Sequence, residues 1–229
     1  MKKTIIITSL LILCTSLSAQ RLGFIGGYQL TNSYAVVGGK TVDFNPKAGS
    51  GFHVGAYFDW TFKKNYGIDA QLVYALRNTK FDLHYNSDTT IIFKRQIFNL
   101  ELPVHIYANY RLGKDFVLSP FLGPSFNMGL HGKDIAWENT DYQKPVDMEN
   151  KSLFDKDSRI NRFEVAGDIG VSLKYRNYAI RTLYSVGFTN LTRKNFDWTL
   201  SLASNRNKYL FNRVFKISFV YVFDLKSKY

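Results

Sequence analysis

Between Phe98 and Tyr110 the chain alternates with a period of two. Phe98, Leu100, Leu102, Val104, Ile106, Ala108 and Tyr110 fall on one side of an extended strand, and Asn99, Glu101, Pro103, His105, Tyr107 and Asn109 on the other. At about 3.3 Å per residue this stretch reaches roughly 43 Å, enough for a tilted strand to cross a hydrocarbon core of about 30 Å. Its apolar side is therefore expected to meet lipid.

The same period predicts seven further strands. Leu22 to Leu30 is a glycine-rich first strand, followed by a polar loop over Ser33 to Ser50. Phe52 to Phe62 sets Phe52, Val54, Ala56, Phe58, Trp60 and Phe62 against His53, Gly55, Tyr57, Asp59 and Thr61. After the turn Lys63-Lys64-Asn65, a third strand carries Ile68, Ala70, Leu72, Tyr74 and Leu76 outward and frays near His84, with a polar loop over Tyr85 to Thr90. The Phe98 strand is the fourth, with a lead-in from Ile92, and Arg111 to Asp115 turns the chain into a fifth strand over Leu118 to Met128. Pro120 and Pro124 weaken that fifth assignment, since each removes a ladder donor. The longest loop runs from His131 to Ile160. The sixth strand, Phe163 to Tyr175, and the seventh, Tyr178 to Phe188, meet at the two-residue turn Arg176-Asn177. A basic loop over Asn190 to Asn212 leads to the last strand, Phe215 to Leu225.

Connections thus alternate long and short along the chain. In transmembrane barrels short turns lie on the periplasmic side, long loops lie outside, and the strand number is even. The predicted fold class is all-β: a transmembrane antiparallel up-and-down β-barrel of eight strands, with short periplasmic turns and long extracellular loops. Trp60, Phe62, Tyr110, Tyr175, Tyr178 and Phe223 stand at strand ends beside the short turns, where an interfacial girdle belongs.

Composition adds the address. Lys2 and Lys3, an apolar run from Ile5 to Leu13 and the small residues Ser18-Ala19 have the three-part layout of a cleaved secretory signal peptide, and the apolar run is too short to span as a helix. The expected organisation is a signal peptide over 1–19 and a single outer-membrane β-barrel domain over 20–229. Cys14 is the only cysteine, and bulky Leu13 before it argues against a lipoprotein acceptor, so the mature chain is expected to hold neither disulfide nor thiolate metal site. The net charge of +12 falls to 12 − 2 = +10 without the two leader lysines. Export makes lipopolysaccharide phosphates and acidic glycans more natural anions for it than nucleic acid.

An eight-strand barrel is only wide enough for its interior to fill with side chains. The inward set includes His53, Asp59, Asp69, Arg77, Glu101, His105, Glu164, Asp168, Lys174, Arg181 and Lys216. Both signs are present, so these groups are expected to close the lumen by pairing with one another rather than to catalyse or conduct. An enzyme at the outer rim is the runner-up: His84 and His131 fall at strand ends there, with Asp82, Ser87 and Asp88 near the first. A narrow pore is the third reading. The sequons Asn150-Lys151-Ser152 and Asn190-Leu191-Thr192 read as chance, and no phosphate loop, zinc spacing or EF-hand pattern occurs, so no cofactor or metal is expected. Trp137, Tyr142, Phe154, Trp198 and Tyr209, set among charges in the loops, suit either a binding surface or packing of the loops on themselves.

The run Asn99 to Val104 (Asn-Leu-Glu-Leu-Pro-Val), the run Ser119 to Ser125 (Ser-Pro-Phe-Leu-Gly-Pro-Ser) and the run Gly187 to Leu191 (Gly-Phe-Thr-Asn-Leu) together resemble the PorT-like outer-membrane β-barrel family of Bacteroidota. The resemblance covers essentially the whole mature chain and implies a barrel rather than a reaction. Some members of that family are implicated in protein secretion to the cell surface and gliding. The start of this mature chain does not look like the secretion protein that names the family, and that role is not carried over. The expected function is therefore a non-enzymatic outer-membrane barrel whose loops bind a partner, or whose wall docks on a larger membrane assembly such as a secretion complex, among outer-membrane lipid and lipopolysaccharide.

Overall fold

The computed structural model describes residues 20–37, 40–42, 46–63, 65–86, 89–139, 144–145, 153–154, 160–192 and 208–223. The leader read over 1–19 lies outside the described residues, as do Ser87, Asp88, Tyr142, Trp198 and the side chains of Asp82, His84 and Trp137.

Among the described residues eight long strands follow one another: β1 (Gln20–Val37), β2 (Pro46–Lys63), β3 (Tyr66–Asn86), β4 (Thr89–Ala108), β5 (Phe116–Asn139), β6 (Phe163–Tyr175), β7 (Tyr178–Gly187) and β8 (Lys208–Phe223). Each pairs antiparallel with the next, and β8 returns to β1 in register from Leu22↔Phe223 to Val37↔Lys208, so the sheet closes on itself. Three short segments extend the ladders: Lys40–Val42 on β1, Tyr110–Leu112 and Lys144–Pro145 on β5. Closure removes the unpaired edge that an open sheet of this length would expose.

The polarity is inside-out. Phe24 and Ile169 are 62% and 63% exposed, whereas Glu101 and His105 are at 0%. Over the described residues, which leave out Leu225, the alternation read from the sequence assigns both faces of all eight strands as they stand in the structure, because a period of two leaves each residue only one side. Pro120 and Pro124 do not break β5, which runs through both in register with β6.

The strand lengths correct the sequence reading. Expected loop residues are paired strand at every long connection: β1 continues to Val37, β2 begins at Pro46, β5 runs on to Asn139 and β8 starts at Lys208. The expected loop over Tyr85 to Thr90 is instead the tip of a β3–β4 hairpin paired as far as Asn86↔Thr89. Their backbones stay extended because each is paired with its neighbouring strand. The polar stretches are therefore strands that project past the apolar band.

The ends of the barrel differ. At one end β2–β3, β5 and β6–β7 turn tightly, at Lys63↔Tyr66, Leu112↔Phe116 and Tyr175↔Tyr178. Gly113 (φ 80°) and Arg176 (φ 52°) adopt left-handed backbone in two of these turns, and Gln20 and Phe223 also lie at this end. The girdle aromatics all fall here on the outer face, with Trp60 packed on Phe62 and Phe116 on Tyr175. At the other end the wall is uneven: β3, β4 and β5 stand tall, while β6 and β7 stop low, where Gly187 pairs with Ala166. Bulges at Ala48/His53 on β2 and Phe98/Asn99 between β4 and β5 shift the register within the tall wall.

Candidate functional site

The polar side chains inside the barrel form three tiers. Farthest from the short turns, Arg77 of β3 lies between two carboxylates: its Nε donates to Glu101 Oε1 at 2.8 Å and its Nη1 to Glu164 Oε2 at 2.5 Å. Lys216 of β8 donates to the other oxygen of Glu101, and Asn127 donates to Glu164 Oε2 at 3.2 Å. Beside them His53 Nε2 meets Ser218 Oγ at 2.8 Å, while its Nδ1 has no partner among the described residues.

In the middle tier Asp69 receives Arg181 Nη1 at 3.0 Å and Gln71 Nε2 at 2.9 Å, and faces His105 Nδ1 at 2.9 Å. The opposite nitrogen of His105 faces Asp168 Oδ2 at 3.1 Å, so the imidazole bridges two carboxylates from different strands. A doubly protonated ring satisfies both contacts as donor. Arg181 also donates to Tyr57 Oη at 3.1 Å and lies 4.0 Å over the Phe121 ring. Gly170 leaves room for that ring; a Cβ there would stand 2.4 Å from it.

Nearest the short turns, Asp59 accepts from Arg21 and from Tyr107 Oη, each at 2.5 Å. Lys174 sits 4.1 Å over the Tyr107 ring and donates to Asn109 Oδ1 at 3.5 Å. Of the eleven inward residues expected from the sequence, ten are buried and Lys174 is half-buried, and all eleven lie inside the barrel. The reading placed Tyr57, Gln71 and Tyr107 on the inward faces without counting them in the polar network, and it missed Arg21. Arg21 was legible, since it falls in the inward phase of β1 and stands opposite Asp59.

The mouth at the tall end is covered. Leu153, Phe154, Ile160, Leu191 and Leu210 form a buried apolar cluster, with Ile97 packed against it. Leu153 N donates to Gly132 O at 3.3 Å and Arg162 to Phe154 O at 2.9 Å. Gly129 and Gly132 of β5 make the bay for this turn, because a Cβ on Gly129 would stand 2.3 Å from the Phe154 ring. The run Gly187 to Leu191 holds the other side. Thr189 Oγ1 accepts from Val165 N, Asn190 Oδ1 accepts from both Thr192 N and Leu210 N, and Leu191 enters the cluster. Beneath the cap lies a cavity of about 30 Å³ with Thr31, Arg77, Arg95, Asn99, Arg162 and Glu164 among its lining. Glu164 Oε1 and Thr31 Oγ1 are buried there without a protein partner among the described residues.

Two expected loop contacts change character. Phe154 is 6% exposed and belongs to the cap, so it offers no outer surface. Tyr209 lies on β8 rather than in a loop and stacks on Phe211, which in turn stacks on Tyr34, on the outer wall. Phe154 sits in the expected connection and packs inward there, whereas at Tyr209 the polar-sequence signal for a loop failed. Trp137 falls on β5 with its side chain outside the described residues, where Tyr142 and Trp198 also lie. His131 is exposed on the outer wall and stacks on Phe98 at 4.4 Å. Among the described residues no group of three or more His, Cys, Asp or Glu is arranged to hold a metal ion. No helix of the described residues is long and apolar enough to cross a membrane, which leaves crossing by strands open.

Solved structures similar to the chain include OprG of Pseudomonas aeruginosa (15% identity, covering 90% of this chain and 97% of that one, TM-score 0.44). Ail, the attachment invasion locus protein of Yersinia pestis, is similar at 15% identity over 89% of this chain and 98% of its own, with a TM-score of 0.40. The outer membrane protease OmpT of Escherichia coli is similar at 10% identity over 91% and 98%, with a TM-score of 0.35. No curated protein sequence matches the chain. The family described as "Outer membrane protein beta-barrel domain" matches residues 18–193. That match spans most of the chain, and the chain, a closed eight-stranded barrel among its described residues, belongs to the outer membrane protein beta-barrel domain family.

Proposed function

We propose that this outer-membrane barrel is neither an enzyme nor a pore, and that it works through its surface as a binding or docking component of the outer membrane. The observation that carries the reading is the lumen, where the Arg77–Glu101–Lys216 and Asp69–His105–Asp168 contacts link facing strands beneath an apolar cap. Ions crossing this interior would have to displace buried salt bridges that hold each other in place. Two further facts favour a non-enzymatic protein. His131 stacks on Phe98 on the outer wall, away from the cavity, and His53 meets a serine but has, among the described residues, no carboxylate on Nδ1 to orient it as a base.

In this reading residues 1–19 are a cleaved leader, both termini and the short turns are periplasmic, and the tall wall faces outside. The neighbours are outer-membrane lipid, lipopolysaccharide and another outer-membrane protein or a secretion complex, with no nucleic acid. The PorT-like resemblance and the Bacteroidota assignment rest on the three sequence runs, of which Gly187 to Leu191 supports the cap.

Planar-bilayer recording on the purified barrel tests the proposal. No steady conductance is expected, and stable ohmic steps would overturn it. Capture of partners from detergent-solubilised outer membranes then distinguishes a docking component from a solitary one, and turnover of a membrane lipid or peptide lost on His131→Ala would favour the enzyme instead.

A further inference from the structure

The bulge in β2 places Lys47 directly opposite Lys80 of β3, and Lys80 is itself directly opposite Lys94 of β4. On β5, Lys133 pairs with Gln96, one outward step from Lys94, so four lysines share one patch of the outer wall. Adjacent strands are about 4.8 Å apart, which puts the first and third backbones of the row within about 10 Å. Like charges directly opposite one another across a ladder destabilise it. Among the described residues no carboxylate is paired with Lys80, Lys94 or Lys133.

The height of the row is informative. Lys80 lies twelve positions beyond Ile68, the first aliphatic outward residue of β3, and Lys94 lies twelve positions from Ile106 on β4. Twelve residues at about 3.3 Å, tilted by about 40°, rise about 30 Å, just past an apolar band about 25 Å tall. Below the row, Tyr74 and His131 flank and stack on Phe98 as an aromatic layer in the upper part of that band. A row of ammonium groups there meets the level of lipid phosphates.

We propose that Lys47, Lys80, Lys94 and Lys133 form a docking site for a lipid with a multiply phosphorylated headgroup, of the lipid A type, seated on the outer wall of β2–β5. Its phosphates bridge the opposed ammonium groups, and its acyl chains lie on the apolar face below Phe98. The placement of this lipid in the outer leaflet rests on the orientation given under the proposed function, whereas the binding itself does not.

The test uses the purified, folded barrel in neutral detergent and bisphosphorylated lipid A as the probe, with retention read by native mass spectrometry and stability by thermal unfolding. The triple variant Lys80→Gln, Lys94→Gln, Lys133→Gln is compared with Lys114→Gln in a short turn. The proposal expects at least tenfold weaker retention for the triple variant, no change for Lys114→Gln and loss of binding with added salt. Without lipid the triple variant should unfold at or above the wild-type temperature, because repulsion is relieved; with lipid the order should reverse. Equal retention by the triple variant, equal binding of a lipid lacking phosphates, or full competition by equimolar inorganic phosphate would overturn it. Surface biotinylation of Lys80 in intact cells tests the orientation separately.

Discussion

Glu101 of β4 and Arg77 of β3 are joined by two contacts to one carboxylate oxygen, Nε at 2.8 Å and Nη2 at 2.7 Å, while the other oxygen of Glu101 takes Lys216 from across the lumen. One acid thus ties a neighbouring strand to a distant one. Glu101→Ala leaves two buried cations short of an acceptor and should destabilise the barrel by about 3 to 5 kcal/mol. Replacing Glu101 and Arg77 together by Leu and Met should cost less than the sum of the single changes. Denaturant unfolding in lipid vesicles measures both.

Ile169 is exposed on the outer face of β6, midway along the strand. Arginine there should cost roughly 2 to 4 kcal/mol, the range for a cation at the bilayer midplane. The sequence alone would rank an arginine at inward Ser172 as milder. The structure removes that difference: Ser172 is buried and directly opposite Arg181, so a second guanidinium meets both a packed interior and a like charge. Urea titration of the two variants should find neither tolerated.

The cap can be tested through its bay. Gly129→Val drives side-chain atoms into the Phe154 ring, and Phe154→Ala empties the same place. Either should speed maleimide labelling of a cysteine placed at Asn99, beneath the cap, by at least tenfold. Because Cys14 is the only native cysteine, the signal is clean in a chain without it.

Arg176 holds φ at 52° in the β6–β7 turn, and its guanidinium lies 5.2 Å over Tyr175. Left-handed backbone costs a residue with a Cβ about 1 kcal/mol, and an exposed cation–π contact returns about 0.5 kcal/mol. Arg176→Gly should therefore leave stability unchanged or raise it by up to about 0.5 kcal/mol, read from the shift in denaturant midpoint.

Much of the barrel could be read from the chain because a strand offers only two faces and lipid accepts only one kind of residue. The alternation at Phe163 to Tyr175 carries that information without any neighbour. What needed the structure depended on register. Lys47, Lys80 and Lys94 are unremarkable in sequence, and Lys47 fell in an expected loop; only the β2 bulge aligns them. Phe154 looked like a loop aromatic because the bay at Gly129 and Gly132 lies more than twenty residues away. Polar strand extensions such as the hairpin tip at Asn86 and Thr89 read as loops because their sequence carries no apolar alternation.

The central claim is that one wall separates two environments, acyl chains outside and a packed ionic interior within. Nitroxide labels placed singly at each position from Phe163 to Tyr175, with the barrel in lipid bilayers, test it through collision with dissolved oxygen. Accessibility should oscillate with a period of two and peak at Val165, Ile169, Val171 and Leu173. A flat profile, or peaks at Glu164, Ala166 and Asp168, would contradict the account.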